Sequence, residues 1–114
     1  MIGGIQWDSV CKWLENCGYN VQNSELWGNY EYDETGKRIV YETGKFERYK
    51  ANNIYDLSGN CTEWTQEASN VLHRTVRDFG DSENNLQSVL NRIAHMAPMD
   101  NREYCGTRIM LILK

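Results

Sequence analysis

The sequence contains a single proline, Pro98, in 114 residues. Turns must therefore be made by Gly, Asn and Asp, and Asp33-Glu34-Thr35-Gly36 and Ser58-Gly59-Asn60 are the clearest examples. Basic residues are in the minority, 12 against 16 acidic, which gives a net charge of −4 and a pI near 5.1. That balance excludes a general grip on nucleic acid, which needs clustered Lys and Arg to displace counterions. The longest apolar run, Ile109 to Leu113, is far short of the ~20 residues of a membrane span. Met1-Ile2-Gly3-Gly4 has neither the basic start nor the apolar stretch of a signal peptide. No membrane partner is expected.

Metal and nucleophile motifs are also missing. Cys11, Cys17, Cys61 and Cys105 are separated by 5, 43 and 43 residues, so there is no Cys-x-x-Cys. His73 and His95 are the only histidines, and neither stands at zinc-finger spacing from the other or from a cysteine. No Ser-His-Asp order, phosphate-cradling glycine loop or HExxH helix is present. Cys11 and Cys17 lie roughly 240° apart around a helix, so they should not face each other. Four free thiols, mostly buried as small apolar side chains, are the expectation, and both histidines read as surface or satisfied core residues.

What is present begins with size. A chain of 114 residues is enough for one domain, 1–114, with a real core, and too short for two. Four Trp, seven Tyr and two Phe are many for this length. Such rings suit both a packed loop-rich core and a recognition surface, and composition does not choose. Trp7, Val10, Cys11 and Leu14 fall on one helical face, which predicts a helix over 7–17, capped by Asp8 or Ser9 and ended by Gly18. From Tyr19 to Asn53 no period is sustained, and long ordered loops with at most a short hairpin near Thr35-Gly36 are expected. Residues 54–57, 58–60 and 61–65 read as strand, tight turn and strand. Val71 to Val76 suggests another strand, and Leu86, Val89, Leu90, Ile93 and Ala94 show a weak helical spacing. Gly106 to Leu113 has the length and apolarity of a covered strand. The fold class is α+β.

Asn53-Ile54-Tyr55-Asp56-Leu57-Ser58-Gly59-Asn60-Cys61-Thr62-Glu63-Trp64-Thr65 resembles the Asp-Met-x-Gly-Asn-Val-Trp-Glu-Trp segment of formylglycine-generating-enzyme-like (sulfatase-modifying-factor) domains. Three further segments occur in that family's order. Gly4-Ile5-Gln6-Trp7-Asp8 resembles its opening Trp-Asp helix, Val76-Arg77-Asp78-Phe79-Gly80 its Val-Arg-Gly-Gly-Ser segment, and Gly106-Thr107-Arg108-Ile109 its closing Gly-Phe-Arg strand. The resemblance implies a C-type-lectin-like fold, with this chain a C-terminal piece or a minimal version of the domain. It implies no oxidase, because the cysteine pair that follows the Arg-Gly-Gly-Ser position in the copper enzymes has no counterpart in Phe79–Asn91. The histidine triad of the iron-binding relatives is absent too.

A branch of the family is similar in another way: the variable proteins of diversity-generating retroelements, of phages and bacteria, display a hypervariable patch between the Arg-Gly-Gly segment and the last strand. The corresponding window is about 78–104. The resemblance implies a non-catalytic ligand-recognition module, with Phe79, Asp81, Asn84, Asn85, Arg92, His95, Asn101, Arg102 and Tyr104 as ligand-binding residues. Its partner would be a protein or cell-surface ligand, engaged as an oligomer or as the C-terminal module of a longer protein. The alternatives are a calcium- or sugar-binding lectin-like domain and a degenerate oxidase. Calcium would be held by Asn60 and Glu63, with Asp56 contributing; otherwise no cofactor is expected. The residues themselves also support a structural network. Trp64 is large enough to anchor two layers and its indole N–H needs a partner. Buried Glu63 needs a cation, for which Arg77 and Arg108 are the candidates.

Overall fold

The computed structural model describes residues 1–68, 70, 72–77, 88–96 and 105–108, with the side chains of 93–96 set aside. It is an α+β arrangement. Helix α1 (Gly4–Asn16) opens the chain, a 3-10 turn (Glu47–Tyr49) leads into β1 (Lys50–Ala51), and β2 (Ile54–Tyr55) follows. Strands β3 (Thr62–Ala68), β4 (Arg74–Arg77), β5 (Arg92–Met96) and β6 (Cys105–Thr107) form one sheet in the order β5-β4-β3-β6. Two of the three pairings in that sheet, β5 with β4 and β4 with β3, are antiparallel, whereas β6 runs parallel to β3, pairing Thr62 with Cys105 and Trp64 with Thr107.

Helix α1 starts three residues ahead of the expected span. Gly3 in extended conformation precedes it with no side-chain cap, so Asp8 and Ser9 are interior helical residues rather than caps. Its buried face is Trp7, Cys11 and Leu14, with Val10 half-buried beside it. Gly18 follows the helix at φ 95°, the left-handed geometry that glycine adopts without cost. Trp7, fully buried, is the centre of a core completed by Ile2, Val21, Trp27, Ala51, Leu57 and Val89. Its indole N–H donates to the Val89 carbonyl at 3.0 Å.

The strand, turn and strand expected over 54–65 are present as β2, the Gly59-Asn60 turn and β3, but the two strands do not pair with each other. Ile54–Tyr55 turns back onto Lys50–Ala51 instead, and the 62–68 strand is the centre of the other sheet. The tight turn between them is real: Gly59 has φ 73° and Asn60 φ 60°. A side chain at Gly59 would place its Cβ 2.1 Å from the Asn29 carbonyl oxygen, so close backbone approach as well as φ requires glycine there. The helical spacing suggested over 86–94 is overturned. Ser88 to Asn91 make a turn closed by Asn91 N–H to the Ser88 carbonyl, and an extended strand, β5, follows. The strand suggested at 71–76 is found at Arg74–Arg77. Residues 109–113 lie outside the described residues.

Ahead of the 3-10 turn and β1, the 19–46 stretch is ordered without a helix or a strand, held by isolated bridges from Asn29 to Gly59 and from Tyr32 to Arg38, the latter around the Asp33–Gly36 turn. Aromatic side chains do the packing. Tyr41, Phe46 and Tyr49 stack edge to face, and the Arg48 guanidinium covers Phe46 and Tyr49. The Glu31 carboxylate accepts from the hydroxyls of Tyr41 and Tyr49 and from Arg48. All four cysteines are free, but only Cys11 is buried; Cys17 is exposed, and Cys61 and Cys105 are half-buried.

Two outcomes check this arrangement. Replacing Trp7 by Phe removes the indole N–H with part of the bicyclic ring, orphans the buried Val89 carbonyl, and should cost about 1–3 kcal/mol in urea unfolding for the lost hydrogen bond and more for the space left behind; an unchanged midpoint contradicts the hydrogen bond. The parallel β3–β6 register puts a Cβ at position 106 3.7 Å from the Cβ of Cys61, inside the disulfide range. Gly106→Cys should therefore crosslink to Cys61 on mild oxidation, as read by peptide mapping, and crosslinking elsewhere contradicts the register.

Candidate functional site

Arginine and glutamate side chains meet on both flanks of β3. Glu63, Thr65 and Glu67 occupy every second position of β3, whose register with β4 shifts between Trp64 and Ala68. From the β6 side, Arg108 forks onto Glu63: Nε donates to both oxygens at 3.1 and 3.0 Å and Nη2 to Oε1 at 2.6 Å. The same Nη2 also donates to the carbonyls of Tyr55 and Asp56. Of the two candidate partners, Arg108 is thus the one that compensates Glu63. Burial pushes the Glu63 carboxyl up from its ordinary range, and Arg108 pulls it partly back.

From the β4 side, Arg77 serves a different acid. Its side chain is 3% exposed, and Nε and Nη2 donate to Glu67 at 2.8 and 3.2 Å. Asp8 of α1 completes its pairing at 3.0 Å, which fastens the helix to the sheet. Arg92, at the start of β5, reaches Glu67 at 3.5 Å while its side chain stays 62% exposed. Glu67 and Asp8 were not legible as partners, because opposite charges scattered along a sequence do not announce which pairs a fold will bring together.

The expected site residues divide accordingly. Arg92 is an exposed arginine oriented by Glu67, and His95 lies within β5. Phe79, Asp81, Asn84, Asn85, Asn101, Arg102 and Tyr104 fall outside the described residues. Between them, the chain returns to the core at Ser88–Val89. Ser88 Oγ donates to the Val21 carbonyl at 2.8 Å, Ser24 Oγ accepts the Val89 N–H at 2.9 Å, and Trp7 holds the Val89 carbonyl. Ser24 in turn belongs to a buried hydroxyl cluster with Tyr30 and Ser58.

Asn60 and Glu63, the expected calcium ligands, are both buried and already bonded. Asn60 Oδ1 accepts from Asn29 Nδ2 and from the Tyr41 N–H, each at 2.9 Å, and its Nδ2 donates to the Tyr41 carbonyl. Asp56 is buried too, in left-handed conformation, with Oδ2 accepting the Gly44 N–H. Among the described residues, no group of three or more His, Cys, Asp or Glu side chains could hold a metal ion. His73 pairs with Asn70 through Nδ1. Trp64 is half-buried and lines a groove of about 440 Å³ with Met1 and Arg74; the layer-anchoring ring is Trp7 instead.

No family model, curated protein or solved structure matches the chain.

Breaking the Glu63 pair gives a two-part test. Arg108→Leu leaves a buried carboxylate uncompensated and should cost about 3–5 kcal/mol, part of which Glu63→Gln should recover in the double variant. Because the folded-state pKa of Glu63 is raised, the folded protein holds this proton more tightly than the unfolded chain. Its contribution is fully present below the unfolded value of 4.5 and is lost as pH rises through the folded value. Relative to Glu63→Gln, the native protein should lose urea stability on that rise; parallel profiles contradict the assignment.

Proposed function

We propose that the protein is a non-catalytic ligand-recognition module of C-type-lectin-like fold, similar to the variable proteins of diversity-generating retroelements and of phage or bacterial origin. Its binding surface is the 78–104 window and its partner a protein or cell-surface ligand. The observation that carries this reading is how the window is tied. It leaves from the end of β4 at Arg77, returns to the core at Ser88–Val89, pairs with β4 as strand β5 (Arg92–Met96), and joins β3 at Cys105 in β6.

Fixing the two ends and the middle of a segment limits the ordering entropy that ligand contact must overcome, and recognition loops are commonly carried by such rigid frames. Arg92 illustrates the point, since Glu67 holds its guanidinium while most of the side chain faces solvent. A second support is the company that the four resembling segments keep. The 62–65 segment of β3 lies between Val76-Arg77 on β4 and Gly106–Arg108 at β6, and the Trp7-Asp8 helix is joined to the same sheet through Asp8 and Arg77. Burial also raises the Cys61 thiol, the opposite of the shift that a nucleophilic or metal-binding cysteine needs.

Two readings test the proposal. The gene's locus should carry an imperfect second copy of the codons for 78–108, with mismatches at adenines, beside a reverse-transcriptase gene. A library randomised at Phe79, Asp81, Asn84, Asn85, Asn101, Arg102 and Tyr104 should remain folded, with Tm shifts within about 3 °C for most members, and should yield binders on selection. A locus with neither element, together with a library that unfolds, would overturn it.

A further inference from the structure

Outside the window, a cavity of about 250 Å³ opens between the 40–43 segment, the turn before β3 and strand β6. Tyr41, Thr43, Asp56, Asn60, Glu63 and Thr107 contribute to its lining. Three of these polar side chains belong to residues less than one-tenth exposed: Asp56, Asn60 and Glu63. Asn60 spends its amide on Asn29 and the Tyr41 backbone, and both oxygens of Glu63 are taken by Arg108.

Asp56 is different. The residue is 5% exposed, its Oδ2 accepts the Gly44 N–H at 2.9 Å, and its Oδ1 accepts no hydrogen bond from the described residues. No described cation pairs with its carboxylate either. Arg108, the guanidinium that comes to this turn, donates to the backbone carbonyl of Asp56 at 3.0 Å and spends its other contacts on Glu63 and Tyr55. A buried carboxylate with one neutral donor is under-compensated, and Glu63 beside it adds charge of the same sign. Cavity and orphaned oxygen together call for a cationic guest.

We propose that this cavity is a binding site for a single ammonium group, held on Asp56 Oδ1 with the hydroxyl-bearing Thr43 and Thr107 and the Tyr41 ring in the surrounding wall. One charge and three donors match the free oxygen of buried Asp56, and the exposed Glu42 in the same lining adds charge of the sign that favours a cation. A calcium ion asks for about six to eight oxygen ligands, and the carboxylate of Glu63 is already committed to Arg108. The site is separate from the recognition window and its occupancy does not depend on that reading. The ammonium could belong to a free small amine or to a lysine side chain of a protein.

Thermal unfolding with methylammonium chloride, against sodium chloride at equal ionic strength, tests the site. The native protein should gain about 3 °C in Tm near saturation, and Asp56→Asn, which can still accept the Gly44 N–H, should gain nothing. Should that variant not fold, titration of the native protein followed by amide NMR replaces it, with the Gly44 and Thr107 signals expected to move. A matching gain with N-acetyl-lysine methylamide assigns the site to lysine side chains, and a gain with methylammonium alone assigns it to free amines. No gain with either and unmoved amides, a gain that persists in Asp56→Asn, or stabilisation by calcium chloride alone would each overturn the proposal.

Discussion

The hydrogen bond from the Trp7 indole to the Val89 carbonyl is the constraint on which the rest of the molecule depends. It joins residues 82 positions apart in a part of the core that water does not reach. Each group would be costly to bury alone: the indole N–H has no other use in an apolar setting, and a buried carbonyl without a donor loses the full desolvation cost. Their meeting lets a helix from the start of the chain hold the middle of a polar segment near its end. Ser24 supports the same point from a third direction by accepting the Val89 N–H, so that both polar backbone groups of one residue are satisfied by side chains from elsewhere in the chain.

Charge does for the sheet what Trp7 does for the core. Strand β3 carries Glu63 and Glu67, and each receives an arginine from a different side: Arg77 of β4 for Glu67, and Arg108, just after β6, for Glu63. Bidentate pairs of this kind fix direction as well as distance, and the helix joins in through Asp8. The arrangement specifies which strands lie beside β3 more than it adds net stability, since desolvation offsets much of the attraction between buried ions. It also explains why Gly4 is small: a side chain there would run into Glu67.

What the sequence disclosed follows the range of each interaction. The face of Trp7, Cys11 and Leu14, the glycine after the helix, and the turns at Asp33–Gly36 and Gly59-Asn60 are written within a few residues, and all are present. The strands on either side of the Gly59-Asn60 turn are present as well, but strand propensity says nothing about which partner a strand takes; Ile54 finds Ala51, and Glu63 finds Arg77 and Gly106. The 19–53 stretch offers no period because its order comes from rings and carboxylates gathered in three dimensions, as around Glu31. Arg108 was legible as one of two candidate partners of Glu63, and only the fold assigns it to Glu63 and Arg77 to Glu67. The spare oxygen of Asp56 was not, since it depends on what fails to arrive.

The parallel pairing of β3 with β6 carries a consequence for how the chain reaches its fold. Parallel neighbours cannot be closed by a tight turn, so Thr62 waits for Cys105, 43 residues away, with β4 and β5 threaded between them. Contacts of such sequence separation slow folding, because chain entropy is surrendered before they form. The closing entropy itself grows only with the logarithm of the intervening length, about 0.6 kcal/mol for each doubling. Lengthening or rewriting the stretch between β3 and β6 would therefore tax the assembled sheet lightly. Until β6 docks, one flank of β3 has no partner strand and presents an open edge to another chain.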